Sequence, residues 1–353
     1  IICTILFCIF FSMGWASRVM AEDELNNGLP EVLTGMDENG NVYELSTDSG
    51  YVDDSISMLR SASVKVVNFN TKGASVTNYN EVETGNTGYT CGVYGADGAY
   101  LGTSGSKVRF MLSGVIGEVD ASEVQLVDFD AVKSVSYYMV SDGKLYHKIA
   151  TNLNSTTYGS TLEQGLAPSY LKSGNKYYSY DGHYFYSDYE TMLFDYGNAT
   201  RENAVNKNAP YFNYFQYLPL RSRSNYSGNE LTSILNGRVN AQSKMRDLGE
   251  TLVQYQNVYG VNAWIATGVA ANESAWGMSN ISQTKNNLFG LNAVDSNPGE
   301  AANYYTDVSI CVKDFMETYL SKQYLNPSNW KYSGAFLGNK SSGINVRYAS
   351  DPY

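Results

Sequence analysis

The sequence predicts a multidomain protein of mixed α+β class, with a small β-rich N-terminal region followed by a mainly α C-terminal domain. Three observations carry this. A chain of 353 residues with 43% hydrophobic residues is long enough and apolar enough for two or three packed units. Between residues 61 and 128, stretches such as SVKVVNFN alternate apolar and polar positions, and YGADGAYLG places Gly and Asp at turns. From Leu231 onward the apolar period becomes that of a helix.

Taken in order, residues 1–21 read as a secretory signal peptide. The apolar run Ile1 to Met13 is followed by Val19-Met20-Ala21, a small-x-small cleavage site, and then by acidic residues. An uncleaved anchor is the competing reading, but the run is short for a full membrane span. Residues 22–60 form a polar lead, with MDENGNVYEL as a short hairpin. Residues 61–128 suggest a small barrel of short strands, two of them around Gly114 and Gly117. The ending GVIGEVDASEVQLV resembles the last strands of bacterial SH3-like wall-binding modules. Residues 129–222 are rich in tyrosine, as in KYYSYDGHYFYSDYETMLFDY and PYFNYFQYLPL. Those rings either pack a half-buried sheet or stand exposed and stack on sugars. His183 in DGHYF reads as a turn residue.

Composition excludes several classes. A net charge of −11 argues against nucleic acid as a partner, because phosphate binding needs clustered Lys and Arg. It also argues against simple electrostatic adhesion to an anionic surface. The two histidines, His147 and His183, do not make a histidine-rich metal site, and no EF-hand pattern is present. No cofactor and no metal are expected. Cys3 and Cys8 leave with the signal, so Cys91 and Cys311 remain, too few for a disulfide framework.

The C-terminal domain, residues 227–353, opens with Ser227 and Glu230 at capping-box spacing. MRDLGETLVQYQNVYG reads as an amphipathic helix closed by Gly260, and Asn262 is a good N-cap for the next. That helix is expected to run to Gly277. Ile265, Val269 and Glu273 recur every four residues and Trp276 follows three later, so they share one face. A carboxylate there meets the negative helix end and apolar neighbours, both of which raise its pKa toward that of a general acid. Periodicity equally allows Glu273 to lie at the edge of the face, in solvent.

Three motifs then occur in order: Glu273-Ser274-Ala275-Trp276-Gly277, Asn286-Asn287-Leu288-Phe289-Gly290, and Asn345-Val346-Arg347-Tyr348-Ala349-Ser350-Asp351-Pro352. Together they resemble the bacterial peptidoglycan N-acetylglucosaminidase family, glycoside hydrolase family 73, over about residues 230–353. The resemblance implies a lysozyme-like, mainly α fold with a groove between two lobes. It also implies cleavage of glycan strands after N-acetylglucosamine, and continuation of the domain beyond Tyr353. It makes Glu273 the general acid and brings Tyr348 to the site.

The second catalytic group stays open at this point. Asp295, Glu300 and Asp307 lie between the motifs. Glu300 and Asp307 flank AANYYT, a possible strand of a β-lobe, while Asp307 also suits a helix cap. Alternatively the substrate's own acetamide attacks, with Tyr348 orienting it. Candidate sugar contacts are Trp276, Asn286, Asn287, Phe289, Tyr305 and Asn345; Trp276 and Phe289 also suit packing, and the two asparagines also suit a turn. Asp351, before Pro352, reads as a turn residue. The leading expectation is a secreted, wall-associated autolysin acting on peptidoglycan, free of the membrane once the signal is cleaved. A lytic transglycosylase or muramidase on the same fold and a non-catalytic wall-binding protein are the alternatives.

Overall fold

The computed structural model describes residues 64–292 and 301–353, together with the backbone of two short strands nearer the N-terminus. The signal segment lies outside the described residues, as do Asp295 and Glu300. The two short strands, β1 (Thr34–Met36) and β2 (Val42–Glu44), pair antiparallel in a hairpin within a unit of their own.

The second unit begins at a seven-stranded antiparallel sheet. It contains β3 (Lys65–Asn68), β4 (Thr77–Glu81), β5 (Thr87–Thr90), β6 (Asp97–Ser104), β7 (Lys107–Leu112), β8 (Val115–Asp120) and β9 (Gln125–Asp128), in the order β5-β4-β8-β7-β6-β3-β9. Alternation forms these strands: β4 reads buried-exposed-buried, with Thr77, Tyr79 and Glu81 turned inward. Phe69, Tyr79 and Phe110 meet edge-to-face in its core, an arrangement the ring quadrupoles favour. The β7–β8 hairpin turns at Ser113 and Gly114, both left-handed, whereas Gly117 lies inside β8 and not at a turn.

The tyrosine-rich segment supplies a four-stranded sheet in the order β12-β11-β10-β13, made of β10 (Tyr137–Ser141), β11 (Lys144–Ile149), β12 (Ser160–Leu166) and β13 (Lys176–Tyr177). It also supplies the helices α1 (Tyr189–Gly197) and α2 (Tyr214–Tyr217). Many of its tyrosines are core. Tyr180, Tyr186, Tyr189 and Tyr196 are buried together with Val66, Ala99 and Met111 of the larger sheet. The buried carboxylate of Asp97 ties the two parts together. It accepts from the backbone amide and hydroxyl of Ser136, each at 2.6 Å, and from the Tyr180 hydroxyl at 2.6 Å. His183 is a turn residue: its amide donates to Asp181 at 2.9 Å and its ring lies between the Tyr211 carbonyl and the Tyr217 hydroxyl.

The C-terminal part is mainly helical. Its helices are α3 (Gly228–Arg238), α4 (Gly249–Tyr259), α5 (Ala263–Glu273), α6 (Asn280–Lys285), α7 (Val308–Asp314), which runs into a π-helical stretch at Phe315–Tyr324, and α8 (Asn345–Tyr348). The sequence signals place the caps. Ser227 and Glu230 form a capping box on α3, left-handed Gly260 ends α4, and Asn262 accepts from two amides at the head of α5. α5 is apolar nearly all round and runs through the core formed by Leu252, Ile265, Ala266, Phe289 and Phe315. AANYYT is not a strand. Its described residues are lashed to the preceding loop by two bonds, Asn303 to Leu291 and Tyr305 to Lys285, each 2.9 Å.

Candidate active site

Glu273 is the last residue of α5. The helix stops there because the Ser274 hydroxyl folds back to the Ala270 carbonyl at 2.5 Å and accepts from the Gly277 amide at 2.7 Å. Ala275, Trp276 and Gly277 follow, all left-handed, with φ of 50°, 58° and 74°. The first two carry a Cβ, at a cost of roughly 1–2 kcal/mol each. The turn is held from outside. Ser243 donates to the Trp276 carbonyl at 2.6 Å, and a Cβ at Gly277 would fall 2.7 Å from the Ser243 hydroxyl. The expectation that the helix continues to Gly277, with Trp276 on the face of Glu273, is therefore corrected. Trp276 lies beyond the helix end and packs on the C-terminal core.

Glu273 lines a cavity of about 180 Å³. Asn345, Tyr348 and Asp351 of the third motif line it as well. Part of the remaining wall comes from the tyrosine-rich segment, including Tyr138, Tyr211, Asn213 and Tyr217, and part from Ser113 and residues 337–339. Sequence reasoning did not bring those four residues of the tyrosine-rich segment to Glu273, because they lie more than fifty positions earlier, on a strand, a loop and α2. The glycine of the second motif also reaches the site: a Cβ built on Gly290 would stand 4.0 Å from a Glu273 carboxylate oxygen.

Asp351 and Asp181 also bring carboxyl groups to this cavity. Burial pushes Asp351 up to about 7. The Tyr353 amide and the Lys340 ammonium hold it down, and the charge of Glu273 pushes it further up. The sequence offered no sign of this, since Asp-Pro is an ordinary turn pair and the desolvation comes from distant chain. His147, on the same cavity, is pushed down to about 3 by burial. Its ring stacks on Tyr138 at 4.0 Å, and its Nε2 has no hydrogen-bond partner among the described residues.

The other sequence candidates stand outside this lining. Asp307 is exposed and caps α7, accepting from the Ser309 hydroxyl at 2.5 Å and amide at 2.7 Å, bonds that hold its carboxyl below the usual range. Asn287 is buried and organises its own loop: it accepts from Phe289 and Leu291 and donates to the Leu291 and Asn303 carbonyls. Asn286 is left-handed and donates to the Tyr305 carbonyl at 2.9 Å. Phe289 stacks on Phe315 at 3.8 Å. Tyr305 is buried and donates to Asp314 at 2.7 Å. Among the described residues, no group of three His, Cys, Asp or Glu is placed to hold a metal ion. No helix among them is long and apolar enough to cross a membrane.

Three carboxylates line this aromatic-walled cavity; Asp181 is paired with Arg201, and Glu273 and Asp351 are left as the pair of carboxyls that glycoside hydrolysis uses. Residues 249–353 match the family model described as mannosyl-glycoprotein endo-beta-N-acetylglucosaminidase. Two Streptococcus pneumoniae proteins, from strains TIGR4 and R6, are both named "Putative endo-beta-N-acetylglucosaminidase". Each is 29% identical over 297 residues, 80% of this chain. The chain spans 40% and 37% of their respective lengths. Among solved structures, Staphylococcus aureus Autolysin E is 20% identical, with a TM-score of 0.31 over 39% of this chain and 65% of that one. A catalytic mutant of Autolysin E in complex with the disaccharide NAG-NAM is 18% identical over the same shares, also with a TM-score of 0.31. Superpositions this loose have no bearing on the site.

Proposed function

We propose that the protein is a secreted, wall-associated endo-β-N-acetylglucosaminidase that cleaves peptidoglycan glycan strands, with Glu273 as general acid. The observation that carries this is the meeting of Glu273 with Asn345, Tyr348 and Asp351 on one cavity, inside the segment that matches the glucosaminidase model. Glu273 donates its proton to the leaving glycosidic oxygen as the bond to the anomeric carbon breaks. Asp351 is the second carboxylate. It stabilises the positive charge that develops on the sugar and, with Tyr348, orients the attacking oxygen of water or of the substrate acetamide. The tyrosine wall gives the sugar ring flat apolar faces, so the accessory region takes part in holding the substrate.

The test is Glu273→Gln, which removes the proton donor at nearly constant shape. Lysis should be lost while glycan binding persists; unchanged lysis would refute the assignment. Mass spectrometry of digested peptidoglycan checks the bond cleaved. Reducing N-acetylglucosamine ends are expected, and anhydromuramic ends would show a lytic transglycosylase instead.

A further inference from the structure

Lys340 is a lysine with almost no exposed surface, at 1%. Its backbone is fixed on two sides. Its amide donates to the Ser113 carbonyl at 3.1 Å, and the Asn339 side chain closes the turn by accepting from the Ser341 and Ser342 amides. Next to it, Gly338 and Gln216 of α2 exchange two hydrogen bonds, at 2.9 and 2.8 Å. The side chain therefore enters the interior from a rigid base. Its ammonium donates to the Asn345 carbonyl at 3.2 Å and to the Ala349 carbonyl, and it lies 4.9 Å from the centre of the Tyr89 ring. Three donors thus meet two carbonyls and one aromatic face.

Those two carbonyls bracket α8, the segment that brings Asn345 and Tyr348 to the cavity. Asp351 follows two residues after Ala349. Asp351 forms no direct ion pair with Lys340, and its charge favours the buried ammonium from a longer range. The other charges here are Glu273 and Asp181, on the same cavity, the latter paired with Arg201, and Arg347, whose guanidinium donates to the Thr87 carbonyl.

We propose that Lys340 is a positioning residue of this site: its ammonium fastens both ends of the Asn345–Ala349 turn and supplies the countercharge that lets Asp351 stand as a carboxylate on the same cavity as Glu273. This rests on the reading of Asp351 as the second carboxylate, given above. Lys340 touches no substrate. It acts through the turn and through the charge of Asp351.

Two readouts separate this from a merely structural role. The first compares Asp351 carboxyl carbon NMR titrations in Glu273→Gln protein with and without Lys340→Met. The Asp351 midpoint should rise by about one pH unit or more when the ammonium is removed; an unmoved midpoint overturns the proposal. The comparison stays readable even if Glu273→Gln retains activity and the general-acid reading fails. The second is the pH profile of glycan hydrolysis. Lys340→Met should move the acid limb of kcat upward with KM little changed, so activity returns as pH rises. A loss equal at every pH overturns the proposal. If Lys340→Met does not fold, nitrogen NMR of lysine-labelled Glu273→Gln protein decides. An exchange-protected ammonium that responds as Asp351 titrates supports the proposal, and its absence refutes it.

Discussion

The Tyr89 hydroxyl donates to the Arg347 carbonyl at 3.1 Å, across 258 positions of sequence, and the Arg347 guanidinium donates back to the Thr87 carbonyl at 2.8 Å. The β-rich sheet thus grips the third motif directly. Two further bonds add to the grip, from the Cys91 amide to the Ser350 carbonyl at 2.9 Å and from the Ser113 hydroxyl to the Pro352 carbonyl. Arg347→Ala removes a charge-assisted bond and should lower stability by roughly 1.5–3 kcal/mol. Hydrolysis should fall further than the folded fraction does, because α8 loosens. Thermal unfolding and turnover measured on the same preparation check this, and turnover that merely tracks the folded fraction counts against it.

Asn287 separates a structural role from a sugar contact. Its buried amide satisfies four partners within the loop. Asn287→Ala leaves several of them unpaired and should cost on the order of 2–4 kcal/mol. Glycan affinity per folded molecule should stay as it was, measured by binding in the Glu273→Gln background. A selective loss of affinity would return Asn287 to the list of sugar contacts.

Gly290 is left-handed, with φ of 60°. Gly290→Ala should cost about 1 kcal/mol in backbone strain. Its methyl would also stand against the Glu273 carboxylate, 4.0 Å from an oxygen, displacing solvent. The acid should then hold its proton to higher pH, because desolvation disfavours the charged form. The pH–rate profile should extend on its alkaline side; a profile that keeps its shape argues against contact with Glu273.

Stability should depend on pH through two groups of opposite sign. Asp351 is raised from 3.8 to about 7, so between those values the folded state holds more protons than the unfolded one. Its contribution therefore falls as pH rises, on the order of 2–4 kcal/mol across the window. Asp351→Asn should flatten that fall. His147 is lowered from 6.5 to about 3, so here the unfolded state binds the extra proton. Its contribution is present above 6.5 and is lost as pH drops toward 3, again on the order of 4 kcal/mol. His147→Gln should remove that acid-side loss. Melting temperature against pH for the two variants resolves the two slopes, and parallel curves would contradict the assignment.

Local features of this fold were legible because their partners lie three or four residues away. Ser227 with Glu230, Asn262 at the head of α5, Gly260 at the end of α4 and Asp307 on α7 are all of this kind. The end of α5 was misplaced by three residues because the Ser274 hydroxyl turns the chain back locally and Ser243, more than thirty positions earlier, holds the left-handed turn that follows. Glu273 and Tyr348 were read from a motif resemblance. Asp351 was not, because what distinguishes it is the burial and charge assembled around it by Lys340, Glu273 and the cavity wall. Of the tyrosines, Tyr186 and Tyr189 are core, and Tyr138 and Tyr211, which line the cavity, belong to or pack against a core cluster as well.

The grip of Tyr89 and Ser113 on the segment from Arg347 to Pro352 also sets an order of events during synthesis. A chain made from its N-terminus completes the seven-stranded sheet once residue 128 has emerged, and domains fold as they become available. The cavity gains Asn345, Tyr348 and Asp351 only when the last nine residues described here arrive and dock onto that waiting surface. A partly made chain therefore carries Glu273 before Asn345, Tyr348 and Asp351 have joined it.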